Sequence, residues 1–216
     1  MVYWLTLLSD GGDFFNLFRY ITVRAGGAFL TSLLFGFVFG KPLINLLRRR
    51  QGRGQPIRSD GPEGHQSKAG TPTMGGALIL GALVVSTLLW ARLDNMHIWV
   101  VLFVTIGFGA IGFADDYAKV SKQTSAGVSG RVRLGLGFVI ALIAALVAAQ
   151  LHPEGLRLQV AVPVLKDTLV PFGILFFPFA MIVIVGTANA VNLTDGLDGL
   201  AVMPVMIAAA ALGVLA

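Results

Sequence analysis

With 216 residues, 56% of them hydrophobic and 12% charged, and a mean hydropathy of +0.80, the chain lies far below the roughly 25% charged content of soluble domains and reads as an integral membrane protein. Its long apolar stretches lack the polar alternation of a β-barrel, and the absence of cysteine excludes disulfides, thiol nucleophiles and thiolate metal sites. The net charge of +5 is gathered in particular loops, the pattern of membrane orientation rather than nucleic-acid binding.

Residues 1–24 mix Trp4, Phe14, Phe15, Phe18 and Tyr20 with Asp10, Asp13 and Arg19, which predicts a short helix lying in the outer interface. No basic start or small-residue cleavage site marks a signal peptide, so the first span is expected to direct insertion itself. That span covers 25–47, with Lys41 and Pro42 near its end and Gly36 and Gly40 placed for close helix packing. In residues 48–72, Arg48, Arg49, Arg50, Arg53, Arg58 and Lys68 outnumber Asp60 and Glu63, which makes this loop cytoplasmic. Thr71 as cap and Pro72 at the first helical position open a second span at 73–91. Arg92 to Asn95 turn the chain outside, and a third span over 96–114 leads into Asp115 and Asp116.

The loop at 115–133 carries Lys119, Lys122, Arg131 and Arg133 and returns to the cytoplasmic side by alternation. A fourth span at 134–151 precedes an outer segment with a short hairpin near 157–162. The fifth span, 168–191, is expected to bend at Pro171 and Pro178. An acidic cytoplasmic loop at 192–199 and a sixth apolar run at 200–216 complete an all-α, polytopic helical domain of about six transmembrane helices. Because the last run stops without a polar tail, the chain is expected to be the first part of a longer polypeptide.

Residues 168–194 contain no Asp, Glu, Lys or Arg, and Asp195 and Asp198 follow at once, each before a glycine. Charge at the bilayer centre costs roughly 2.5–3.5 kcal/mol on insertion scales, so this pair belongs at a water-facing edge and is a candidate site; the plainer alternative is a capped polar helix end. If the helix before it continues, Lys119 is four residues after Asp115 and three after Asp116 and reaches either carboxylate. Adjacent carboxylates diverge by about 100°, so one faces the chemistry while its neighbour orients Lys119 or a water. Hard oxygen donors from Asp and Asn suit magnesium shared with phosphate, and nearby basic side chains would complete a phosphoryl site.

Three motifs stand in order: SKAGTPTMGG at 67–76, DDYAK at 115–119 and NAVNLTDGLDGL at 189–200. Together they closely resemble the phospho-N-acetylmuramoyl-pentapeptide transferase branch of the polyprenyl-phosphate sugar-1-phosphate transferases. That resemblance implies a ten-span fold of which about six are present. It also implies a magnesium-dependent reaction at the cytoplasmic face of the bacterial inner membrane. There undecaprenyl phosphate takes phospho-MurNAc-pentapeptide from UDP-MurNAc-pentapeptide, giving lipid I and UMP. By motif position it implies Asp115 as base, Asp116 as its support and Lys119 as the cation that steadies phosphate. Asp195 and Asp198 are the further catalytic acids, lining a nucleoside and diphosphate pocket with Gly196 and Leu197. Asn192, with Asp115, is a magnesium ligand, and Lys68, Thr73, Asn189 and Lys122 meet substrate.

The resemblance further implies a homodimer, and a magnesium-binding aspartate and histidine-rich loop in a half that lies beyond residue 216, so the chain alone is expected to be inactive. Two alternatives stay open on the residues: a UDP-GlcNAc-using relative, and a cation-coupled transporter with acids at broken helices.

Overall fold

The computed structural model describes residues 1–52, 72–124, 127–162, 165, 168–194 and 200–215. They form two compact units, Met1–Leu136 and Gly137–Ala216.

The first unit opens with two 3-10 helices, Val2–Leu8 and Phe14–Arg19, rather than one interfacial helix. Gly11 between them has φ +98°, a left-handed conformation that favours glycine and breaks the helix. The N-terminal ammonium donates to the Leu88 carbonyl at 3.2 Å, and the Tyr3 ring lies 5.0 Å from the Arg24 guanidinium and 4.8 Å from that of Arg92.

Three helices follow: α1 (Ile21–Gln51), α2 (Gly76–Trp90) and α3 (Met96–Lys122). α1 has no buried residue, and Phe37 is 76% exposed; lipid solvates such a surface. α2 starts at Gly76 rather than Thr73, with Gly75 at its N-cap, and Thr71 lies outside the described residues. Between α2 and α3, Arg92 donates to Asp94 at 2.6 Å, which holds that carboxyl below its usual range. The Asn95 side chain accepts the His97 N–H at 3.0 Å and caps α3.

Small residues set the helix contacts: of the two predicted glycines, a Cβ at Gly40 would meet Leu78 of α2 at 3.7 Å, an ordinary contact, but the closest approaches lie elsewhere. A Cβ added at Gly36 would meet nothing within 4 Å, whereas one at Gly27 would overlap the Trp90 ring and one at Gly109 would come within 2.7 Å of Leu80. The Trp90 indole N–H also donates to Thr31 Oγ1 at 2.9 Å. Gly27 thus seats α2 on α1, and Gly109 seats it against α3.

α4 (Gly130–Leu151) starts in the first unit and continues into the second, where Ala141, Ala144, Ala145 and Ala149 are buried. A two-stranded antiparallel sheet comes next, β1 (Gln159–Ala161) pairing with β2 (Leu169–Pro171), Val160 opposite Val170. The second strand uses residues assigned above to the fifth span. α5 (Phe176–Thr194) therefore begins later; Pro171 lies outside it, and Pro178 sits in its first turn, where no amide bond is lost. α6 (Val202–Leu215) closes the described chain.

The all-α class holds with this small sheet added, but six spans of an expected ten do not. Among the described residues, four helices are long and apolar enough to cross a membrane: Ile21–Gln51, Met96–Lys122, Gly130–Leu151 and Gly173–Thr194 with its 3-10 lead-in. The other two, α2 and α6, have 15 and 14 residues, a rise of about 22 Å against a hydrocarbon core of about 30 Å. Apolar composition continued past the ends of both helices, and composition does not mark where a helix stops.

Gly27→Ala should lower thermal stability in detergent by about 1–3 kcal/mol through overpacking against Trp90. Gly26→Ala, whose Cβ meets nothing within 4 Å, should leave the unfolding midpoint unchanged or raise it through helix propensity.

Candidate active site

The polar end of the first unit is built on the last turns of α3. The helix runs past Asp115 to Lys122 because nothing between them breaks it, and this puts Lys119 one turn below Asp115. Lys119 Nζ lies 2.7 Å from Asp115 Oδ2, with side chains 20% and 8% exposed. An unpaired carboxylate so buried would be strongly destabilising. Asp115 is therefore enclosed on every side: the Val128 N–H donates to its Oδ1 at 2.8 Å, and Arg133 Nη1 from α4 comes within 3.8 Å of Oδ2.

Asp116 diverges from its neighbour as helix geometry requires. It keeps a longer ion pair to Lys119, 3.9 Å from Oδ1, and its Oδ2 accepts the Thr73 hydroxyl at 2.9 Å. Thr73 is itself clamped, since Gln51 at the end of α1 donates to its carbonyl at 3.0 Å and accepts its N–H at 2.9 Å. The next residue, Met74, has φ +72°, a left-handed conformation that costs roughly 1–2 kcal/mol for a residue with a Cβ. That strain is maintained where the chain must reverse between the Gln51 clamp and α2.

The structure thus brings together four of the predicted residues: Thr73, Asp115, Asp116 and Lys119. Lys122 is exposed on the last turn of α3. Asn189 and Asn192 belong to α5 in the second unit; Asn189 Nδ2 donates to the Val185 carbonyl at 2.8 Å, and Asn192 is exposed. Lys68, Asp195, Gly196, Leu197 and Asp198 lie outside the described residues. Gln51 and the Val128 N–H were not foreseen. Neither carries charge, and neither falls in a motif, so no residue-type signal marks them.

Among the described residues no three His, Cys, Asp or Glu side chains gather as a metal-ligand group. Magnesium needs only one or two protein carboxylates, with waters and phosphate oxygens completing its shell. The Asp116 carboxylate, 30% exposed and with Oδ1 held only by a long ion pair, fits that requirement. Both Asp115 oxygens are already engaged. An apolar groove between α1 and α2 is lined by Phe35, Phe39, Leu43 and Leu78, and none of these residues is titratable.

The profile of glycosyl transferase family 4 matches residues 98–216, and signature 1 of phospho-N-acetylmuramoyl-pentapeptide-transferases matches 68–80. The chain is 72% identical to the phospho-N-acetylmuramoyl-pentapeptide-transferase of Ruegeria sp. (strain TM1040). It is 71% identical to that of Ruegeria pomeroyi and 70% to that of Dinoroseobacter shibae. Each match covers 100% of this chain and 60% of the relative, so the chain spans about three fifths of their length.

Gln51→Ala should remove both bonds to Thr73 and leave two half-buried backbone groups unpaired, a loss of roughly 1–3 kcal/mol. Amide exchange at Thr73 should speed up accordingly, with Gln51→Glu, which keeps only the acceptor, in between. Exchange unchanged in Gln51→Ala would contradict the clamp.

Proposed function

The chain belongs to glycosyl transferase family 4, and from that premise we propose that it carries the catalytic carboxylates of a phospho-N-acetylmuramoyl-pentapeptide transferase. The reaction is the magnesium-dependent transfer of phospho-MurNAc-pentapeptide from UDP-MurNAc-pentapeptide to undecaprenyl phosphate, with lipid I and UMP as products. The observation that carries this reading is the 72% identity to a curated transferase along the whole chain. The signature match at 68–80, which encloses Lys68 and Thr73, favours this branch over a UDP-GlcNAc-using relative.

An oxygen of the lipid phosphate attacks the sugar-bearing phosphorus, and the bond from that phosphorus to its bridging oxygen breaks as UMP leaves. Asp115 accepts the proton of the lipid phosphate. At rest its charge is balanced by Lys119, 2.7 Å away; an incoming phosphate competes for the same ammonium. Competition frees the carboxylate and directs the cation to phosphate charge in one exchange.

Asp116 supports this arrangement and would hold Mg²⁺, and Asn192 keeps the ligand role given by its motif position. Asp115 joins the ion only by giving up Lys119. Magnesium, when bound, neutralises and polarises the donor's phosphate oxygens. Asp195 and Asp198 act as the further acids, and Lys68, Thr73, Lys122, Asn189, Gly196 and Leu197 as substrate contacts, all by motif position. The protein is a multi-pass membrane protein; we place the Asp115 end on the cytoplasmic side, and a homodimer is the assembly that the resemblance suggests.

UMP release should be measured for this chain and for the chain extended to the length of its relatives, in detergent with undecaprenyl phosphate. Turnover is expected to require Mg²⁺ and the lipid, to prefer UDP-MurNAc-pentapeptide over UDP-GlcNAc, and to fall by about 10²–10⁴-fold in Asp115→Asn. Cation flux in liposomes with no nucleotide turnover by either chain would refute the reading.

A further inference from the structure

The loop between α3 and α4 meets the catalytic carboxylate with a bare Cα. Gly127 has φ +55°, and a Cβ built there would overlap Asp115 Oδ1 and lie 2.9 Å from Cε of Lys119 and 3.0 Å from Cγ of Asp115. The overlapped atoms cannot easily move aside. Asp115 is only 6% exposed and is held by Lys119 Nζ at 2.7 Å, and Oδ1 itself accepts the N–H of the residue after Gly127, Val128, at 2.8 Å. Contact and hydrogen bond therefore come from one peptide unit, and the bond forms only while the Cα beside it carries no side chain.

We infer that Gly127 is a positioning residue for the reaction: it lets the 127–128 backbone close over Asp115, hold Oδ1 on the Val128 N–H and keep Lys119 in register with the carboxylate. This rests on the reading of Asp115 and Lys119 given above. A side chain at 127 must either lift the loop, which breaks the Val128 bond, or turn the carboxylate, which moves it away from Lys119. Either displacement alters the groups that act on the lipid phosphate.

Two other glycines show that the contact is particular to this position. Gly52 at φ +58° and Gly173 at φ +52° share nearly the same positive φ, yet an added Cβ at either meets nothing within 4 Å. A substitution at Gly173 thus imposes the conformational strain alone. Asparagine at 127 does the reverse, since it tolerates the left-handed conformation but still carries the Cβ.

The test compares Gly127→Ala, Gly127→Asn and Gly173→Ala with wild type in detergent, by amide exchange at Val128 and by steady-state UMP release. Both variants at 127 are expected to speed Val128 exchange by at least about tenfold, and to lower kcat by about 100-fold, the scale of a misplaced catalytic group, with KM for the UDP donor little changed. Gly173→Ala is expected to change neither. Wild-type Val128 exchange in both variants at 127 would overturn the inference, as would a kcat loss in Gly127→Ala that Gly127→Asn restores. UMP release is read in the chain extended to the length of its relatives; if that wild type shows no turnover, the functional reading has failed on its own, and the exchange measurement still decides whether Gly127 positions Asp115.

Discussion

A carboxylate buried at the end of a membrane-compatible helix must be balanced by charge and hydrogen bonds or it does not persist as an anion. Asp115 meets that condition through a cation one turn away on its own helix, a backbone N–H from the following loop and a guanidinium from the start of α4. These three demands fix the polar end of the first unit: α3 must stay helical as far as Lys119, the loop must fold back at Gly127, and α4 must begin with Arg133 turned toward the carboxylate. Asp116 adds a demand in another direction. Through the Thr73 hydroxyl and the Gln51 amide it ties α3 to the chain that links α1 and α2. Two adjacent carboxylates that cannot face the same way thereby join four helices.

The apolar part of the same unit holds that end in place. Lipid offers no hydrophobic drive between helices, so α2 is held by close contact at Gly27 and Gly109 and by the bond from Trp90 to Thr31. α2 is short, and both of its ends are anchored: one at Trp90 against α1, the other beside the strained Met74 and the Asp116 hydroxyl partner. A displacement of α2 along α1 would be felt at Thr73, which links helix packing to the geometry of the site.

The sequence made the Asp115 and Lys119 pair legible because it is a local event, set by an i,i+4 spacing on one helix. Divergence of Asp115 from Asp116 followed from the same periodicity, and the resemblance in three motifs anticipated the match to the transferases. The partner of Asp116 was not legible: Thr73 stands 43 residues away in the chain, and its role was assigned to substrate, not to a carboxylate. Gln51 closes a run of arginines whose charge drew the reading toward topology. Helix ends were the weakest point. Apolar composition extends into residues 73–75 and 168–172, where a left-handed turn and a strand replace helix, so two predicted spans proved too short and a third began late. Spacing picked out Gly40, which does meet α2 at Leu78, and Gly36, which meets nothing, whereas the tighter contact at Gly27 depends on a tryptophan sixty-three residues later.

The central claim is that Asp115 and Lys119 act as one buried unit on which the site's geometry depends. A double-mutant cycle in unfolding free energy, with Asp115→Asn, Lys119→Met and both together, tests it directly. The account predicts that Lys119→Met alone costs up to about 3–5 kcal/mol by leaving the buried carboxylate with only the more distant Arg133 as counter-charge, and that adding Asp115→Asn recovers much of that loss, giving a coupling of more than about 1 kcal/mol. Strictly additive losses would mean that the two groups are independently solvated, and would contradict the account.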